Sequence, residues 1–190
     1  MIKFKIFGIY ISISFLFVSL LCWFLIYDVD RIFLCYFVSS IFHELAHIMA
    51  LSNFSVKIKQ ISLKVFGFSI KRIQQLPFLK EIVVLFSGCF SNFILILIFM
   101  LSKNKTAILV NLIILILNLL PIEFLDGGQI LKLFLDRFLS NEKSFKICKN
   151  ISILFSLVLF VVFLNIILYY KNFKFIFLLF IYILSFVFEE

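Results

Sequence analysis

Both histidines of the chain fall in one stretch, Phe42-His43-Glu44-Leu45-Ala46-His47-Ile48-Met49-Ala50. On an α-helix at about 100° per residue, His43, Glu44 and His47 share an arc of roughly 100°, so all three can face one point. Two imidazoles at i, i+4 are the spacing of a zinc site, and the carboxylate between them stands where a general base takes a proton from water. The stretch interrupts an apolar segment, Ile32 to Leu51, in which ionisable groups are costly in lipid and therefore functional by default.

A zinc held by two histidines needs a third protein ligand and an open fourth position. Two carboxylates compete for that role in Asn118-Leu119-Leu120-Pro121-Ile122-Glu123-Phe124-Leu125-Asp126-Gly127-Gly128. Pro121 removes a helical hydrogen bond and the glycine pair allows a turn, so the helix should break here. Irregular backbone at membrane depth is tolerated only against protein or a water-filled cavity. Asp126, inside that break, is the natural third ligand, with Glu123 as its competitor. A third polar stretch, Ser87-Gly88-Cys89-Phe90-Ser91-Asn92, sets Ser87, Gly88, Ser91 and Asn92 on one helical face. A buried asparagine amide there needs a partner, either a neighbouring helix backbone or a group in the site.

The elements that position these residues follow from composition. The chain has 190 residues, 64% of them apolar and 29 of them Phe. That makes an integral membrane protein. The net charge of +8 lies in residues between apolar segments, which suits membrane-flanking loops and implies no nucleic-acid partner. Cys22, Cys35, Cys89 and Cys148 lack paired spacing and read as small apolar residues.

The length rule lays down about six transmembrane helices in an all-α polytopic membrane protein. The spans run over Phe4–Tyr27, Ile32–Leu51, Ile82–Leu101, a broken fourth from Thr106 to Leu139, Ile151–Tyr170 and Phe173–Phe188. Between spans two and three, Val56 to Lys71 alternates apolar and polar residues with period two, predicting a strand or hairpin. It is either an amphipathic sheet on the membrane surface or an edge that pairs with an extended substrate. The whole, residues 1–190, reads as a single membrane domain with its core at about 32–139 and no soluble regulatory domain.

With the N-terminus in the cytoplasm, thirteen of the 18 basic residues lie inside: Lys3 and Lys5, six from Lys57 to Lys80, and five from Lys132 to Lys149. The positive-inside rule thus favours cytoplasmic termini. Spans two and four then both run inward, and His43, His47 and Asp126 reach similar depth near the cytoplasmic face.

His43-Glu44-Leu45-Ala46-His47, the Gly88 to Asn92 stretch and Asn118 to Gly128 together resemble the site-2 protease family of intramembrane zinc metalloproteases. Six spans without an inserted domain are most similar to the branch containing stage IV sporulation protein FB. The family often has Gly-Pro where this chain has Gly88-Cys89, and a proline at Phe124. The resemblance implies zinc bound by His43, His47 and Asp126, Glu44 as the catalytic base, and Asn92 near the site, holding substrate.

The expectation is therefore a zinc metalloendopeptidase of a bacterial cell membrane, cutting a membrane-spanning or membrane-associated protein near the cytoplasmic face. The resemblance extends this to regulated proteolysis of a transcription (sigma) factor precursor in sporulation, with a membrane-protein regulator. Two rival classes are an inactive membrane scaffold, which needs none of these side chains, and a proton or metal-ion transporter using His43, Glu44 and Asp126 as a relay.

Overall fold

The computed structural model describes residues 2–6, 8–27, 31–64 and 67–170. The chain divides into two compact units, residues 1–119 and 120–190.

The first unit begins with a correction. The run expected to form one membrane span from Phe4 to Tyr27 is instead two strands, β1 (Ile2–Ile6) and β2 (Ile9–Ile13), and a helix α1 of 13 residues (Phe15–Tyr27). The physical reason is periodicity. Lys3-Phe4-Lys5-Ile6 and Ile9-Tyr10-Ile11-Ser12-Ile13 alternate along the chain and are rich in β-branched residues, which favours a pleated strand over a helix. Gly8, at φ +85°, supplies the left-handed turn between them. A helix of 13 residues rises only about 20 Å, short of the roughly 30 Å of hydrocarbon.

Helix α2 (Ile32–Asn53, 22 residues) follows, and then a hairpin, β3 (Ile58–Lys64) and β4 (Gly67–Arg72). The hairpin lies in the segment whose alternation predicted it. It is not isolated, because β2 pairs in parallel with β3, and the described strands form one four-stranded sheet in the order β1-β2-β3-β4. The all-α expectation is corrected accordingly. The parallel pair is possible because α1 and α2 supply the long crossover that such a pair requires. The register sets Ser12 opposite Ser62, and their buried hydroxyls bond at 2.8 Å. The Gln60 amide donates to both, at 3.1 and 3.0 Å. Strand β4 stands at one end of the sheet order.

Helices α3 (Phe78–Leu101, 24 residues) and α4 (Lys105–Asn118, 14 residues) complete the unit, with Asn104 capping α4 by accepting from the Ala107 amide. An ion pair ties the sheet to α3: Arg72 Nη1 donates to Glu81 Oε2 at 2.7 Å, and Nη2 donates to Oε1. Glu81 is buried, and a buried carboxylate stripped of its partner is strongly destabilising. Arg72→Leu should therefore cost about 2–4 kcal/mol of thermal stability in detergent, and adding Glu81→Leu should recover most of it. Equal losses in the single and double variants would show that the unpaired Glu81 carboxylate carries no burial cost.

The second unit contains the irregular stretch after α4, then α5 (Asp126–Phe138) and α6 (Asn141–Tyr170, 30 residues). The charged connection expected between Arg137 and Lys149 is largely helical, since α6 starts at Asn141. The expected sixth span, Phe173–Phe188, lies outside the described residues.

Among the described residues, three helices are long and apolar enough to cross a membrane: Ile32–Asn53, Phe78–Leu101 and Asn141–Val162. Their lengths of 22 to 24 residues give about 33–36 Å of rise, enough for the hydrocarbon core. The apolar side chains left exposed along them, such as Phe42, Phe90 and Leu154, are the surface lipid would cover. The chain is a membrane protein; against the six spans expected, three helices of membrane-crossing length lie among the described residues.

Candidate metal centre

Helix α2 buries one stripe: Ser39, His43, His47 and Leu51. The fourfold spacing places these residues one above another on a single face, and that face packs on α3 and α4. Both imidazoles are therefore held inside the protein.

Each ring is oriented through Nδ1. His47 Nδ1 lies 2.7 Å from the Val84 carbonyl oxygen on α3. A carbonyl only accepts, so the proton sits on Nδ1 and the ring lone pair on Nε2. His43 Nδ1 lies 2.6 Å from Asn92 Oδ1. Asn92 Nδ2 in turn donates to Asn111 Oδ1 at 3.0 Å, and Asn111 Nδ2 donates to the Ala107 carbonyl at 2.9 Å. This chain of bonds gives His43 the same tautomer. Both Nε2 atoms thus carry lone pairs.

The two Nε2 atoms are 3.2 Å apart. Two nitrogens bonded at about 2.0–2.1 Å to a tetrahedral zinc would be separated by roughly 3.3–3.4 Å, so the pair already has the spacing of two ligands. Two lone pairs at that distance repel unless a cation or proton lies between them.

Gly88 on α3 keeps room in front of the pair. A Cβ added there would lie 2.5 Å from His43 Nε2 and 2.6 Å from His43 Cε1, with His47 Nε2 closer still. No side chain fits. The donor set, the tautomers and the glycine all suit a zinc ion.

Glu44 is half-buried on α2 beside His43. Asn92 is 0% exposed, and its amide is used on one side by His43 and on the other by Asn111. In this arrangement the Asn92 amide orients a histidine. Asn111 was not singled out by sequence reasoning. An asparagine seven residues into an apolar helix was the signal, by the same argument that drew attention to Asn92.

In the second unit, the helix breaks around Pro121, as its chemistry predicts. Short-range bonds from the Ile122 amide to the Leu120 carbonyl (2.8 Å) and from the Leu125 amide to the Ile122 carbonyl (2.9 Å) carry the chain through the break. Helix α5 then starts at Asp126. A Cβ on Gly128 would collide with the Ile122 carbonyl and reach 2.8 Å from the Glu123 amide nitrogen, so the first turn of α5 lies directly on the broken segment. The two competing carboxylates separate here. Asp126 is 8% exposed, whereas Glu123 is exposed and is fixed through its backbone amide to Ser152 Oγ at 3.0 Å.

Comparison with known proteins gives three findings. Residues 102–163 match the model of Peptidase family M50. A curated zinc metalloprotease of Methanocaldococcus jannaschii is 29% identical over 132 residues, covering 63% of this chain and 39% of that protein. The chain thus spans about two fifths of the length of that relative. The solved site-2 protease from Methanocaldococcus jannaschii superposes with a TM-score of 0.69 at 26% identity, covering 95% of this chain and 91% of that one.

Proposed function

Taking as premise the support that the family model, the curated relative and the solved structure lend to the site-2 protease family, we propose that this chain is an intramembrane zinc metalloendopeptidase. His43, His47 and Asp126 hold the ion, and Glu44 is the general base. The substrate is a membrane-spanning or membrane-associated protein cut near the cytoplasmic face, with a transcription-factor precursor as one such substrate.

The observation that carries the reading is the His43–His47 pair, two Nε2 lone pairs 3.2 Å apart in front of a glycine where no Cβ fits. A scaffold needs neither the tautomers nor the gap. A bound zinc supplies Lewis acidity, bringing the pKa of water towards neutrality and polarising a carbonyl. The remaining chemistry belongs to the chain's own groups. Val84 and Asn92 hold the imidazoles in the ligating tautomer, Asp126 adds a negative charge that lowers the net charge of the occupied site, and Glu44 carries the proton from water to the departing amine.

The test is zinc per chain in detergent-purified protein. About one zinc is expected, falling to background in His43→Ala, His47→Ala and Asp126→Ala and unchanged in Glu123→Ala. Retention of zinc by Asp126→Ala and loss by Glu123→Ala would move the third ligand to Glu123. A folded wild-type chain that takes up no zinc would overturn the reading.

A further inference from the structure

We infer that Asn111 is a positioning residue for the metal centre, which locks His43 in its ligating tautomer through the amide of Asn92. The role rests on the metal-ligand reading of His43; the tautomer it predicts does not.

An asparagine amide is nearly symmetric in shape and opposite in chemistry at its two ends. Beside His43, Asn92 can present its oxygen, which requires a proton on Nδ1 and leaves the lone pair on Nε2. Turned over, it presents its NH2, which requires the lone pair on Nδ1 and puts the proton on Nε2. The second state cannot ligate a metal through Nε2. The two states differ only by the flip of one buried side chain.

Asn111 removes that choice. Its Nδ2 lies 2.9 Å from the carbonyl oxygen of Ala107, one turn earlier on α4, and a carbonyl only accepts. Asn111 must therefore present its oxygen to Asn92, 3.0 Å away. Asn92 must answer with Nδ2, so its oxygen faces His43 at 2.6 Å. The direction of every bond follows from one backbone carbonyl. Both asparagines are 0% exposed, so water offers neither of them an alternative partner at little cost.

The two histidines are thus set by the same device at different lengths. His47 meets the Val84 carbonyl directly. His43 meets the Ala107 carbonyl through two amides, one from α3 and one from α4. Partners one step outside a metal ligand commonly change metal affinity by about 10–100-fold when removed. Asn111 lies one step further out, and its removal should accelerate zinc release to a chelator by about 10-fold.

The decisive measurement needs no metal. The chain has two histidines, so ring-15N-histidine labelling of the full chain in detergent gives two imidazoles, read by 15N NMR in zinc-free protein at about pH 9, where ordinary imidazole is neutral. Wild type should show Nδ1 protonated in both rings. In Asn111→Leu, which has the same branching and number of side-chain heavy atoms, one ring should shift largely to a proton on Nε2 while the other keeps the wild-type pattern. Asn111→Asp should keep both rings as in wild type, because a carboxyl group that carries its proton toward the Ala107 carbonyl still accepts from Asn92 Nδ2 with its other oxygen. That order, Asp better than Leu at a fully buried site, is the reverse of what packing alone predicts. Asn111→Ala provides a second apolar replacement should the leucine not fold. Unchanged rings in the folded Leu or Ala variant, or equal changes in both rings, would overturn the lock. A tautomer switch in Asn111→Leu, together with a folded wild-type chain that binds no zinc, would uphold the lock and overturn the metal-centre reading instead.

Discussion

Glu44→Gln should retain about one zinc per chain and lose turnover by about 10²–10⁴-fold, the range associated with a positioned general base. Glutamine keeps the size and helix preference of glutamate, so α2 and its buried stripe stay in place. His43 keeps Asn92 and His47 keeps Val84 as orienting partner, since neither bond involves Glu44. What disappears is the capacity to accept a proton. The check is cleavage of a co-reconstituted membrane-protein substrate alongside zinc analysis of the same sample. Activity within a few fold of wild type would remove Glu44 from the role of base. Loss of zinc together with activity would make it a ligand instead.

Gly88→Ala should abolish zinc binding in a chain that still folds. Alanine is the better helix former by about 1 kcal/mol, so the helix itself gains from the change. The added methyl, however, enters the space before the Nε2 atoms, 2.5 Å from that of His43. Both rings are pinned from behind by Nδ1 bonds and cannot retreat without breaking them. Overpacking of this kind costs about 1–3 kcal/mol where the surroundings cannot yield. Zinc content should fall to background, and the melting temperature in the metal-free state should fall by whatever part of that cost the helix gain of about 1 kcal/mol does not offset. Full zinc occupancy in Gly88→Ala would mean that α2 and α3 move apart freely and that the glycine is not required.

Much of the centre was legible because helical spacing is a local property. His43 and His47 at i, i+4 must share a face on any helix, and only the burial of that face depended on the fold. Pro121 breaks a helix by its own covalent structure, and the period-two segment after Val56 is the hairpin its pattern predicts. In the N-terminal run hydropathy and length point to a spanning helix and the alternation of the same residues to strands, and the fold follows the alternation. The partner strand that stabilises β2, β3, lies about fifty positions further along the chain.

Thus the sequence by itself determined the spacing of the proposed metal ligands and of the proposed base, the membrane class and the break before Asp126, since each follows from residue type and short-range spacing. The tertiary structure decided which nitrogen of each histidine carries the proton, why position 88 has no side chain, and that Asn111 takes part. Those properties depend on directed contacts a few ångströms long among α2, α3 and α4. No local pattern encodes which buried carbonyl an amide 19 residues from its partner will meet.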